Sequence, residues 1–266
     1  MPNVNVNNIT LNYDQQGAGD PLILVPYLAA DSACYAFQVA EYSKHFTCIS
    51  VDLRGTGESD KPGGDYSVEI LADDVGALMQ ALGIEKAHVC GLSLGAAVGM
   101  WVAIKHPDRV RSLSVHSGWT RTDPFVKTIV EGWQVMAKAL GSVHEMIVLG
   151  IFPWCFTPEL YASKPEYIES LAAFVRSRPV QPLPAFMQQS NAVIAHDVEA
   201  DLGGIKAPTQ ITFGGNDLVT STRFADRMRM GILNSELTIF DGCAHAPIYE
   251  KVDEFNRTTL EFLRKH

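Results

Sequence analysis

The 266-residue chain is poor in cysteine, with five at positions 34, 48, 90, 155 and 243 and no C-x-x-C pair. An odd, scattered set builds neither a disulfide framework nor a zinc site and fits reduced thiols of a cytoplasmic protein. Basic residues are also scarce: 21 Lys and Arg against 30 Asp and Glu leave a net charge of −9. That balance supplies no basic stripe for nucleic acid and no attraction to an anionic membrane. No apolar run reaches the ~18 residues that a spanning helix requires. The start, Met1-Pro2-Asn3-Val4-Asn5, has neither the basic nor the apolar segment of a secretory signal. No G-x-G-x-x-G follows the first strand, and Walker and H-E-x-x-H motifs are missing. Neither a nucleotide cofactor nor a metal is therefore expected. What is present is globular composition, 47% hydrophobic and 19% charged, in a length that suits one large α/β domain or two small ones.

Val4–Val6 and Ile9–Tyr13 alternate apolar and polar residues around Asn7-Asn8, the pattern of an edge hairpin. Pro21–Val25, Phe46–Val51, Ala87–Cys90 and Val110–Val115 are short apolar runs, as expected of strands covered on both faces. Leu71, Val75, Leu78, Met79 and Leu82 fall on one helical face before Gly83. A second helix runs from Ala96 to Lys105, stopped by His106-Pro107. Alternation resumes with strands at Thr209–Phe213 and Glu236–Phe240, a helix near Arg223–Met230 and a last helix from Glu250. This is an α/β fold with a mostly parallel sheet and helices on both faces.

Between about Trp119 and His196 no strand is evident. Helical stretches near 125–140, 142–150, 164–177 and 184–195 are separated by six prolines. So long a segment is too much for a loop and reads as an inserted helical lid over the strand C-termini. The expected division is a core of residues 1–118 and 197–266 with a lid at 119–196.

Gly91-Leu92-Ser93-Leu94-Gly95 follows an apolar strand and opens a small-residue helix, Ala96-Ala97-Val98-Gly99. A serine on such a sharp turn has crowded neighbours, which glycine on either side relieves. The turn presents Oγ above a helix N-terminus suited to a developing oxyanion. At these residues the chain resembles the α/β-hydrolase family. Val51-Asp52-Leu53-Arg54-Gly55-Thr56-Gly57-Glu58-Ser59 is also similar to the family's D-x-R-G-x-G-x-S loop. Within the family the chain looks most like small lid-bearing hydrolases: 3-oxoadipate enol-lactonases, aminoacrylate hydrolases and carboxylesterases. The Ser117-Gly118-Trp119 run at the start of the lid resembles the aminoacrylate hydrolases.

A serine needs a base. Of eight histidines, His245 stands in a small-residue loop, Asp241-Gly-Cys-Ala-His245-Ala-Pro247, where the family carries its histidine. Asp217 follows the preceding strand, giving the order Ser93, Asp217, His245 that the fold implies. Asp123, beyond the strand ending near Val115, is the competing acid, and Asp241 reads as a turn residue. The resemblance places oxyanion donors at the N–H groups of Leu94 and Leu28. The loop Pro26-Tyr27-Leu28-Ala29-Ala30 departs from the family's His-Gly, and Tyr27 is either a further donor or a loop anchor. Trp119, Trp133, Trp154 and Phe186, with Phe152 and Phe156, are candidates for an apolar pocket or for core. Arg121, Arg176 and Arg178 are candidate carboxylate partners or surface residues.

The expected activity is serine hydrolysis of a small-molecule ester or lactone without a cofactor. Alternatives on the same fold are C–C bond hydrolysis, cofactor-free dioxygenation, perhydrolysis, or a ligand-binding receptor with slow turnover. The expected partner is a small-molecule substrate, and self-association is left open.

Overall fold

Asn7 and Asn8 both adopt left-handed conformations, φ 48° and 62°, as a two-residue hairpin turn demands. They join strands β1 (Asn3–Val6) and β2 (Ile9–Gln16), which pair antiparallel. The structure, a computed structural model, describes residues 2–266. The remaining strands are β3 (Pro21–Val25), β4 (Thr47–Val51), β5 (Ala87–Leu92), β6 (Val110–His116), β7 (Thr209–Gly214) and β8 (Ser235–Phe240). They form one sheet in the order β1-β2-β4-β3-β5-β6-β7-β8. β2 meets β4 antiparallel, and every pair from β4 to β8 is parallel.

The continuous apolar runs are explained by burial on both faces. In β3, Ile23 and Val25 join the core cluster beneath helices α2 (Val68–Ala81) and α3 (Leu94–Lys105). Leu22 and Leu24 point to the other face, where Tyr35, Val39, Tyr42 and Phe262 cover them. The second layer comes from α1 (Ala36–Tyr42), a helix that periodicity did not reveal, and the C-terminal helix. Ser67 caps α2, its hydroxyl accepting the Ile70 N–H at 3.2 Å, and Gly83 at φ 67° ends that helix.

The chain makes β3 first, then β4 on one side of it and β5 on the other. The loops leaving the C-terminal ends of β3 and β5 therefore part, and the crevice between them is where open α/β sheets bind ligands.

The helical insertion lies between β6 and β7. It contains α4 (Pro124–Leu140), α5 (Val143–Met146), a π-helical turn (Ile147–Ile151), α6 (Phe152–Cys155), α7 (Pro158–Ser163), α8 (Pro165–Ser177) and α9 (Leu183–Ala195). Prolines that looked like breaks in the sequence are mostly starts: α4, α6, α7, α8 and α9 each carry one in the first two positions. There proline's missing N–H costs nothing and its fixed φ suits the helix. The stretch expected as one helix over 142–150 is instead α5 followed by the π turn, and α6 and α7 were not foreseen. The insertion's two ends meet. Thr122 donates to the His196 carbonyl at 2.9 Å, Val198 to the Thr120 carbonyl at 2.8 Å, and Arg121 and Asp197 form an antiparallel bridge.

After β7 come α10 (Ala225–Gly231), then β8, α11 (Pro247–Glu250) and α12 (Val252–Lys265). Among the described residues no helix is long and apolar enough to cross a membrane.

Candidate active site

Ser93 occupies φ 53°, ψ −117°, a strained conformation that only a tightly packed surround maintains. Its neighbours show why they are glycines. A Cβ on Gly91 would collide with the Gly95 carbonyl, and one on Gly95 with the Val25 carbonyl at the end of β3. The Ser93 backbone is pinned by its N–H, which donates to the His116 carbonyl at 2.9 Å. Leu94 is the first residue of α3, so its N–H has no partner within the helix.

His245 sits between β8 and α11, with Nδ1 2.9 Å from Asp217 Oδ2. Asp217 is buried and fully engaged. Its Oδ1 accepts the N–H groups of Val219 and Thr220 at 2.8 and 3.2 Å, and its Oδ2 accepts the Thr220 hydroxyl at 3.0 Å. Burial alone would raise the carboxyl. The facing His245 and the hydrogen bonds from His245, Thr220 and Val219 outweigh it and hold the group below the usual carboxylate range. A carboxylate on Nδ1 fixes the proton there and leaves Nε2 with the lone pair.

Asp123 is placed differently. It caps α4 by accepting the Val126 N–H at 2.8 Å and pairs with Arg223 at 2.9 Å.

Ser93 and His245 line one cavity, open at its mouth, with Tyr27 and Leu28 beside them. The insertion supplies its apolar wall, including Trp133, Ile147, Ile151, Phe152, Phe156 and Phe174. Trp133 is fixed there by its indole N–H, which donates to the Gly150 carbonyl in the π turn at 3.0 Å.

The other aromatic pocket candidates stand away from that wall. Trp119 is buried at the neck, its indole donating to Thr122 Oγ1 at 2.8 Å and its ring edge-on to His196 at 5.0 Å. Phe186 is wholly buried core of α9. Trp154 packs on Phe125, the ring centroids 6.4 Å apart. For these three, packing within and beneath the insertion took the rings. Arg121 and Arg176 are exposed, paired with Asp197 and Glu145, whereas Arg178 reaches the cavity.

Tyr27 is an anchor that also lines the cavity. Its hydroxyl lies 2.8 Å from that of Tyr249, which itself donates to the Cys34 carbonyl at 2.8 Å. Tyr249 has one proton, so Tyr27 is the donor between them. Burial raises both phenols and keeps them protonated.

The D-x-R-G-x-G-x-S loop is a buttress beneath the site. Asp52 accepts the Ser32 N–H at 2.7 Å and the Glu58 N–H at 2.9 Å, while Arg54 forks onto Asp74 at 2.8 and 2.9 Å. Gly57 is required because a Cβ would strike the Asp52 carboxylate. Sequence reasoning missed Asp31, Thr56, Gln181 and Tyr249 in the cavity wall, and Ser117, whose hydroxyl reaches the His245 backbone. Only Thr220, three residues past Asp217 in a turn, left a readable local signal. Among the described residues no group of three or more His, Cys, Asp or Glu is arranged to hold a metal ion.

Comparison with known proteins gives this geometry a context. Over 270 residues the chain is 26% identical to a protein of Azorhizobium caulinodans named as a carbamate hydrolase, RutD, covering 98% of each. It is 28% identical to a 2-hydroxy-6-oxo-6-phenylhexa-2,4-dienoate hydrolase of Comamonas testosteroni, over 98% of this chain and 93% of that one. The crystal structure of an enol-lactonase from Burkholderia xenovorans LB400 superposes with a TM-score of 0.89 at 27% identity, covering 99% of this chain and all of that one. The family profile described as alpha/beta hydrolase fold matches residues 20–252. The chain belongs to the α/β-hydrolase family.

Proposed function

We propose that this hydrolase cleaves a small-molecule ester or lactone through Ser93, His245 and Asp217. The observation that carries the reading is the 2.9 Å contact of His245 Nδ1 with Asp217 Oδ2, behind a cavity that Ser93 and His245 share. Ser93 Oγ attacks the substrate carbonyl as His245 Nε2 takes its proton. The N–H groups of Leu94 and Leu28 hold the oxyanion. His245 then gives the proton to the departing alkoxide, leaving an acyl ester on Ser93. A water, deprotonated by the same nitrogen, releases the acid and restores the serine. Asp217 keeps the imidazole in the working tautomer and stabilises its charged form. The insertion acts as a lid that excludes water and selects the acyl group.

The relatives favour a second reading in one respect: their names span carbamate, dienoate and lactone substrates. Hydrolysis of a carbamate or a C–C bond would use the same acids and bases.

A fluorophosphonate probe should label the protein and fail to label Ser93→Ala. Short-chain aryl esters should be turned over repeatedly, with a loss on the order of 10⁴-fold or more in Ser93→Ala or His245→Ala. Labelling that persists in Ser93→Ala, or aryl esters left intact while a carbamate or dienoate is cleaved, would count against the ester reading.

A further inference from the structure

Besides the imidazoles of His144 and His245, the cavity wall carries ionisable side chains of Asp, Glu, Lys or Arg type at one place. Among the described residues that line it, Asp31 and Arg178 are the only Asp, Glu, Lys or Arg side chains. They face each other, Arg178 Nε donating to Asp31 Oδ2 at 2.9 Å. Asp31 belongs to the loop after β3 that also carries Leu28. Arg178 follows α8, so core and insertion contribute one charge each. Asp31 is buried, with a side-chain exposure of 6%, and Arg178 is half-buried at 28%. Asp31 is held by its other oxygen, which accepts the Ala33 N–H at 3.0 Å. Arg178 lies over the Phe174 ring, 5.6 Å from its centroid. The guanidinium is thus fixed between a ring and a carboxylate.

We infer that the Asp31–Arg178 pair makes the acyl pocket a charge filter that admits uncharged acyl groups and rejects those ending in a carboxylate, with Asp31 as the specificity-determining residue. The inference rests on the ester-hydrolase reading of the same cavity and names its substrate class. An entering carboxylate has to share one guanidinium with Asp31, which sets two anions side by side against an apolar wall. It gives up its hydration for a cation whose charge Asp31 already neutralises. A cationic acyl group meets the mirror-image problem at Arg178. A neutral chain meets neither and gains contact with Ile147, Ile151, Phe152 and Phe156. The filter works through a repulsive element rather than through better contacts.

The test compares two isosteric esters, 4-nitrophenyl 5-methylhexanoate and the mono-4-nitrophenyl ester of glutaric acid. Wild-type kcat/KM should favour the neutral ester on the order of 10²-fold. Asp31→Asn keeps an acceptor for the Ala33 N–H, removes the competing charge and should raise the carboxylate-to-neutral ratio at least about tenfold. Equal use of the two esters by wild type overturns the proposal, as does an unchanged ratio in Asp31→Asn. If Asp31→Asn does not fold, Arg178→Gln is the independent arm. It leaves Asp31 unpaired and should raise relative activity on 4-nitrophenyl 4-(trimethylammonio)butyrate about tenfold; no gain overturns the filter. If no ester is turned over by wild type, the ester reading fails by itself. The filter is then read by calorimetry on Ser93→Ala, where 5-methylhexanamide should bind and glutaramate should not. Equal affinities, or no binding of either amide, overturn it.

Discussion

The Ser117 hydroxyl donates to the backbone carbonyl of His245 at 2.9 Å, joining residues 128 positions apart. Ser117 leaves β6 at φ 46°, and its own carbonyl lies 3.0 Å from the Thr220 hydroxyl oxygen. One residue thereby touches both the histidine loop and the turn that holds Asp217. Ser117→Ala should lower kcat on the order of 10- to 10²-fold with little change in KM, because a small misplacement of the base is costly while the apolar wall is untouched. Equal effects on kcat and KM, tracking a loss of thermal stability, would show a merely structural role.

Asp217 and Asp123 should separate cleanly. Asp217→Asn should reduce turnover on the order of 10³–10⁴-fold by releasing the imidazole into the wrong tautomer. Asp123→Asn keeps the α4 cap, because Asn caps as well as Asp, and loses only a partly exposed ion pair with Arg223, so it should cost about 1 kcal/mol of stability or less and leave the rate near that of wild type. Steady-state kinetics and urea unfolding on both variants decide the assignment.

Three buried histidines make the fold sensitive to acid. Burial pushes His116 down to about 3, and His88 and His196 to about 4. In the unfolded chain each titrates near ~6.5. The unfolded state therefore binds more protons below that pH, and the stability from keeping these rings neutral is complete above it. It is lost as pH falls from about 6.5 toward 4, at up to about 1.4 kcal/mol per group per pH unit. Asp217, held below the ordinary carboxylate range, adds a loss only below about pH 4. Urea unfolding at pH 7.5 and pH 5 should differ by several kcal/mol, and equal midpoints would mean that the rings are not neutral in the fold.

Trp133 should behave unlike the other large aromatics of the insertion. Trp133→Ala opens the cavity and should shift preference between short and long acyl esters by roughly 10- to 200-fold. Phe186→Ala should instead cost about 3–5 kcal/mol of stability. Trp154→Ala should scale all substrates alike. A chain-length profile in Trp133→Ala that matches wild type would remove Trp133 from the substrate's path.

The local patterns carried far in this chain. The strand–elbow–helix around Ser93, the hairpin at Asn7-Asn8 and the parallel strands of the core all show in residue order, because their steric and burial requirements act over a few neighbours. The apolar wall was legible only in part. An aromatic residue on a helix looks the same in sequence whether it faces a cavity, as Trp133 does, or fills the neck, as Trp119 does. Helix α1 was invisible because Ala36–Tyr42 is short and buries only Gln38, Val39 and Tyr42, too few to set a period. The roles of Asp31, Ser117 and Tyr249 arise from contacts across 147, 128 and 222 residues, a range over which spacing conveys nothing.

The joined ends of the insertion have a bearing on how such a protein diversifies. Since Thr120–Thr122 and His196–Val198 are stitched together, the sheet experiences the whole excursion as a short connection between neighbouring strands β6 and β7. The entropy of closing a loop grows only slowly with its length once its ends are held. Helices within the insertion can therefore lengthen, shorten or be exchanged for those of another chain while the register of β6 and β7, and with it the backbone beneath Ser93, stays as it is. A chimera cut within the stitched segments should keep its serine reactive and inherit its appetite from the donor.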